Sequence, residues 1–434
     1  MAGNARGARK ALLLVATFVC MPLPAQQGAV PEKVPMPAEL FAGSPRGPYQ
    51  TGTFEAMWVD ARREETTTSD PTDKRRLMVQ IWYPASFKGD PPRAPYLLHP
   101  GLYSDQPELR AESPMAHWAY AGWLKDVESV RTLSVVGAPL AARPLRFPVL
   151  LYNPGAGFAA FSATFQTEFL ASHGYVVVGI SHTDSTGIER FPDGSTYRLD
   201  TNDSELSSEE AQNLSPMEGF RKSIERITER VMPIHVKDIT FVLDRLRRMD
   251  AERGNRFHAR LDLERVGSLG WSLGGALSLQ ASRDEPRIKA AVNLDGWLYT
   301  DVPDTGTPRP IMIVHGDDAF AYRPGESAAQ RELRVVAGTL PWQLYARTKA
   351  DWYDVTLDRA GHMHFSDQSL FMPDDMRKVF IPGDASARDP RFVHDIANRL
   401  TLEFFDKYLR QRASVPLLSG ERTYPGVTVR SGLQ

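Results

Sequence analysis

Ser272 stands in the run Gly270-Trp271-Ser272-Leu273-Gly274-Gly275, which fits the pattern G-x-S-x-G. A serine hydroxyl becomes a useful nucleophile only when a base takes its proton and an acid holds that base in the right tautomer. The residues around Ser272 suit that task. The apolar run 264–272 reads as a buried strand and GGALSLQASR after it as a helix, so the serine falls on the strand-to-helix junction that a nucleophile elbow requires. Gly270 and Gly274 have a steric reason, since so sharp a reversal leaves no room for a Cβ two residues before or after the serine. Ser272 is therefore read as the nucleophile.

In such a sheet the acid and then the base follow the serine in the chain. Four histidines lie downstream: His315, His362, His364 and His394. His315 ends a strand and reads as structural, and His394 reads as a surface position on an amphipathic C-terminal helix. His362 follows the last strand read from the pattern, with Gly361 before it to let the loop turn over the serine; His364 competes with it. The H-x-H spacing could also suggest a metal pair, but the stretch lacks further ligands, so no metal is expected. Asp295 ends the strand after the nucleophile's helix, and Asp317 and Asp318 end the next; spacing does not choose between them. An oxyanion needs backbone donors. The segment 153–158, NPGAGF, leaves N–H groups open at its glycines, and the partner N–H is that of Leu273.

Elements that could position these groups are visible as short apolar, β-branched runs at 76–84, 146–155, 175–182, 264–272, 288–296, 310–318 and 353–362. Helical patterns lie between several of them, above all the long one at 223–249. Strand, helix, strand in sequence predicts a mainly parallel central sheet with helices on both faces. The chain has 434 residues, 42% hydrophobic and 24% charged, enough for one large core. One α/β domain is expected over 51–434, with polar, turn-rich insertions at about 183–222 and 317–351 that read either as lids or as solvated excursions. With 51 basic against 53 acidic residues the chain has no excess of positive charge, which argues against nucleic acid as a partner.

Arg6, Arg9 and Lys10 precede an apolar run of about ten residues, and prolines and Ala25 follow. That pattern predicts a signal peptide at 1–25, hence export to the periplasm or beyond, followed by an extended leader at 26–50. The run is too short for a transmembrane anchor, which takes roughly 20 apolar residues. Cleavage after Ala25 would remove Cys20, the chain's only cysteine.

With IWYPA (81–85), NPGAGF, HGYVVVGISHTD (173–184), GWSLGG, NLDGW and HMHFSD, the chain resembles the lipoprotein-associated platelet-activating-factor acetylhydrolases, serine esterases of α/β-hydrolase fold, from about residue 51 to 409. The resemblance implies Ser272 as nucleophile, Asp295 as acid and His362 as base, with the N–H groups of Leu273 and Ala156 forming the oxyanion hole and no metal or other cofactor. It implies a small-molecule or lipid ester as substrate, with short or oxidised acyl groups of phospholipids foremost; peripheral contact with a lipid surface is compatible with it. Pro154-Gly155 stands where the family has His-Gly, and the two insertions bear on substrate choice, so a general carboxylesterase or polyester hydrolase is the alternative. A non-catalytic binding relative is a third reading, against which the retention of serine, acid, base and hole residues speaks.

Overall fold

The computed structural model describes residues 47–99 (apart from 66, 67 and 69), 130–185, 188–198, 214–317 (apart from 299), 327–371 and 388–433. The expected signal peptide, nearly all of the leader and Asp318 lie outside these residues.

The strands are β1 (Gln50–Glu64), β2 (Lys74–Ala85), β3 (Val135–Val136), β4 (Phe147–Asn153), β5 (Val176–Ser181), β6 (Ile188–Arg190), β7 (Thr196–Arg198), β8 (Leu261–Trp271), β9 (Ile288–Leu294), β10 (Ile311–Gly316), β11 (Trp352–Leu357) and β12 (Val427–Gly432). The longer helices are α1 (Thr164–Ser172), α2 (Pro216–Arg226), α3 (Met232–Ala251), α4 (Leu273–Asp284), α5 (Ala328–Arg347) and α6 (Pro390–Arg410). Ten strands form one sheet in the order β12-β11-β10-β9-β8-β4-β5-β2-β1-β3, while β6 and β7 make a separate hairpin. From β11 through to β5 every neighbouring pair is parallel, and the antiparallel pairs β1–β2, β2–β5 and β11–β12 flank that centre.

Alternation along the central strands explains why both faces are covered. In β4, Leu150 and Tyr152 pack with Phe169 and Leu170 of α1 and with Leu400 and Phe404 of α6 on one face. Val149 and Leu151 point the other way, against Ile239, Val242 and Leu246 of α3 and Leu277 of α4. Successive side chains of a strand leave on opposite sides, so a strand apolar at every position is one buried on both.

The structure departs from the sequence reading in three places. The single long helix expected at 223–249 is broken by a π-helical turn, Ile227–Val231, in which Met232 N–H reaches back five residues to Ile227 O. Pro233 enters at the start of α3 without an N–H to give the preceding turn, and the widened turn accommodates it. The second insertion is no plain excursion: it contains the 20-residue helix α5, hidden from pattern reading by Gly338 and by Pro341 inside the helix. The strands β1, next to the edge, and β12, at the edge, were also not anticipated, because their mixed burial gives no continuous apolar run.

Candidate active site

The parallel strands end at one edge, in register: Asn153 of β4 lies beside Gly270 of β8, and Gly270 beside Asn293 of β9. Loops leaving those ends therefore converge, the usual position of a site in an open α/β sheet.

Ser272 sits between β8 and α4 with φ +57° and ψ −124°, a conformation that L-residues rarely adopt and that costs about 1–3 kcal/mol. The turn is tight for the reason the glycines suggested. A Cβ on Gly270 would lie 2.3 Å from the backbone of Gly274, and one on Gly274 would lie 1.9 Å from Asn153 O. Asp295 is also at positive φ, +52°. Asn293 braces its turn by accepting from Gly296 N–H at 2.7 Å and donating to Gly296 O at 3.0 Å. Gly296 itself passes so close to the elbow that a Cβ there would be 2.2 Å from Ser272 O.

These two turns and the short 3-10 turn His362–Phe365 bring three side chains into line. His362 Nε2 is 3.0 Å from Ser272 Oγ, and His362 Nδ1 is 2.6 Å from Asp295 Oδ2. The other oxygen, Asp295 Oδ1, accepts from Gly316 N–H at 3.0 Å, a tie that fixes the carboxylate plane. Trp271 Nε1 donates to His362 O at 3.0 Å and so anchors the backbone of His362 to the residue before Ser272. The imidazole is 13% exposed and the carboxylate 5%, so one group is reachable and the other is not.

The competing groups are occupied elsewhere. His364 is buried, with Nδ1 accepting from Gly361 N–H at 2.8 Å and Nε2 3.0 Å from Arg388 O. His315 Nε2 meets Asp354 Oδ1 at 3.1 Å, in keeping with a structural role. Asp317 caps a turn by accepting from Arg359 N–H at 2.7 Å. His394 corrects the sequence reading: it is buried, not superficial, with Nε2 3.2 Å from both Ser369 Oγ and Ser366 O. Burial pushes that imidazole down to about 3. Asp367, 4.0 Å from its Nδ1, lies outside α6, so the helix pattern alone gives no sign of the burial.

Leu273 opens α4, so its N–H is one of the first-turn donors that a helix leaves without an internal acceptor. Ala156 follows Gly155, whose added Cβ would lie 3.1 Å from Ser272 Cβ, so this loop runs directly against the Ser272 side chain. Among the described residues no group of three or more His, Cys, Asp or Glu is arranged to hold a metal, and no helix is long and apolar enough to cross a membrane.

Sequence reasoning gave no role to the residues behind this loop. Asn153 donates to Ser268 Oγ at 3.1 Å and to Ser278 Oγ at 3.0 Å, and its Oδ1 is 3.2 Å from His182 Nε2. His182 Nδ1 is 2.9 Å from Asp238 Oδ2. The polar triplet His182-Thr183-Asp184 at the end of an apolar strand was the available signal.

The family model described as platelet-activating factor acetylhydrolase, isoform II, matches residues 45–415. The platelet-activating factor acetylhydrolase of Canis lupus familiaris is 22% identical over 62% of this chain and 58% of its own length. A probable 1-alkyl-2-acetylglycerophosphocholine esterase of Arthroderma benhamiae is 26% identical over 38% of this chain and 36% of its own. The chain thus spans less than two thirds of either relative. A solved ferulic acid esterase from Streptomyces cinnamoneus superposes with a TM-score of 0.63 at 26% identity, covering 89% of this chain and 98% of the esterase. The fold is that of an α/β-hydrolase.

Proposed function

Since the chain belongs to the platelet-activating factor acetylhydrolase, isoform II, family, we propose that it is a serine ester hydrolase with Ser272 as nucleophile, His362 as general base and Asp295 as the acid. The observation that carries this reading is the continuous hydrogen-bonded line from Ser272 Oγ through His362 to Asp295, with the serine held at positive φ on a strand-to-helix turn. Ser272 Oγ attacks the ester carbonyl while its proton passes to His362 Nε2. The tetrahedral oxyanion is met by the N–H groups of Leu273 and Ala156. As the intermediate collapses, His362 Nε2 gives its proton to the departing alkoxide, leaving an acyl-serine. Water then attacks the acyl carbon and gives its proton to His362, which returns it to Ser272 Oγ as the carboxylic acid leaves. Asp295 holds the imidazole in the right tautomer and stabilises the imidazolium.

For the substrate we propose short or oxidised acyl esters of a phospholipid, a reading that membership of the family supports. A general carboxylesterase or polyester hydrolase is the second reading, favoured by the likeness to the ferulic acid esterase. A fluorophosphonate probe should label Ser272 and nothing else in the native chain; absence of the adduct would make the protein a binding relative. Hydrolysis across acyl lengths separates the two ester readings. An acetylhydrolase-type site should be fastest at two to four carbons, because each further methylene needs apolar wall worth about 0.8 kcal/mol. A preference for ten carbons or more, or for aromatic acyl groups, would favour the second.

We also propose export directed by residues 1–25, supported by the basic residues ahead of an apolar run. Recovery of a protein that still begins at Met1 from the exported fraction would refute cleavage.

A further inference from the structure

Behind the loop 154–160 lies a buried polar cluster that takes no part in the proton path. The segment 181–185, from the last residue of β5 onward, touches that loop at three points. His182 Nε2 is 3.2 Å from Asn153 Oδ1, at the junction where β4 becomes the loop. Ser185 O accepts from Gly157 N–H at 2.6 Å, one residue past Ala156. Ser181 Oγ accepts from Ala160 N–H at 3.0 Å, where the loop enters its first helical turn. A loop held at its start, middle and end by one short segment has little freedom to carry Ala156 away from Ser272.

That segment is itself anchored. His182 Nδ1 is 2.9 Å from Asp238 Oδ2, a carboxylate with no exposure. Asp238 also accepts from Arg75 at 2.7 and 3.1 Å and from Arg63 at 2.7 Å. Arg75 extends to Glu65 and, at 2.5 Å, to Asp184, whose other partner is His235 Nε2 at 3.0 Å. The rings of His182 and His235 stack 4.2 Å apart. The charges alternate and nearly every one is paired, which is the condition under which buried ions form a rigid support. Arg75 comes from β2, His182 and Asp184 from the end of β5, and His235 and Asp238 from α3. The cluster therefore ties the face that carries the helix to the edge that carries the site.

We propose that His182 is a positioning residue, the link through which the segment 181–185 and the Arg75–Asp238 cluster hold the Ala156 N–H where the oxyanion forms. This rests on the ester-hydrolase reading. A misplaced backbone donor affects the transition state and not the ground state, so the signature is a loss in kcat with KM nearly unchanged.

Two near-isosteric variants divide the role. The amide of His182→Gln presents a polar atom where Nε2 stands, toward Asn153; that of His182→Asn presents one where Nδ1 stands, toward Asp238. Turnover of p-nitrophenyl acetate is measured per Ser272 site titrated with the fluorophosphonate, so misfolded protein drops out of the comparison. His182→Asn should lose on the order of ten- to a hundredfold in kcat, with a parallel loss in affinity for an aliphatic trifluoromethyl ketone, which forms the same oxyanion. His182→Gln should regain most of both. Ser181→Ala, which removes only the Ala160 tie, should cost a few-fold and keeps the test decisive if either histidine variant fails to fold. Wild-type kcat per titrated site in His182→Asn or in Ser181→Ala, or equal losses in the Gln and Asn variants, would overturn the positioning role. Failure of wild-type protein to label or turn over, or full turnover in Ser272→Ala, would instead refute the underlying reading.

Discussion

Two histidine–aspartate pairs stand near the same sheet edge, and their contacts are almost alike. In one, His362 Nδ1 meets Asp295 at 2.6 Å; in the other, His182 Nδ1 meets Asp238 at 2.9 Å. What differs is everything around them. The second nitrogen of His362 faces a serine hydroxyl that can yield a proton, and the ring is 13% exposed. That of His182 faces the side-chain oxygen of Asn153, which carries no proton to yield, and the ring is 1% exposed. Asp295 is tied by a single backbone N–H, whereas Asp238 is held by two guanidinium groups. Burial opposes the charge on Asp238, but Arg75 beside it and the contact with His182 hold its carboxyl well below the usual range. With that charge already answered by arginine, burial pushes the His182 imidazole down to about 4. A histidine–aspartate contact makes a general base only where the other nitrogen can reach a proton to move.

The comparison can be broken at several points. The largest expected effect is at the first pair's terminus: Ser272→Ala should lower kcat by about 10⁶, with thermal unfolding nearly unchanged, as read by steady-state kinetics and calorimetry. Next is Asp295→Asn, which leaves shape intact but favours the wrong imidazole tautomer and should cost about 10⁴ in kcat. Asp317→Asn should be far milder, since Asp317 only caps a turn; a collapse there with Asp295→Asn near wild type would move the acid one strand on.

At the second pair the order of effects inverts. Asp238→Asn strands Arg63 and Arg75 against an uncharged amide and should destabilise by about 3–5 kcal/mol in denaturant unfolding. Its kcat per titrated site should fall far less than that of Asp295→Asn. If the two aspartate variants lose kcat equally, the division between a reacting and a supporting pair is wrong.

The smallest effect is a pH slope. The ordinary value for His182 is 6.5 and its folded value about 4, so between them the unfolded chain binds a proton that the native one does not. Stability then rises with pH across that window and is lost as pH falls through it, by on the order of 1–3 kcal/mol. His182→Gln should flatten that part of the profile, and a slope unchanged in the variant would mean that other groups carry it.

How much of this was legible in the sequence varies by element. The central strands were, because burial on both faces demands continuous apolar runs; β1 and β12, half-exposed at or near the sheet's edges, were not. Helix α5 was missed because Gly338 and Pro341 read locally as breakers, whereas packing of Leu333 with Met217 and Phe220 gives it a reason to persist. His394 was misjudged because its burying partners come from residues 366–369 and from Phe165, remote in sequence.

By itself the sequence determined the elbow. Gly270, Ser272 and Gly274 are neighbours along the chain, and a Cβ on Gly270 would strike the backbone of Gly274, so sterics within the turn write the motif into five consecutive positions, to which the approach of Asn153 O adds a tertiary reason for Gly274. The order of acid and base came from the general rule for such sheets, and the rank of Asp295 over Asp317 only from likeness to a family. Tertiary structure decided which histidine reaches Ser272, that Gly316 N–H orients Asp295, and that His182 lies behind the loop 154–160. These are contacts between residues 21 to 90 positions apart. Hydrogen bonds have a reach of about 3 Å, and only the sheet, by setting its strand ends side by side, brings such residues within it.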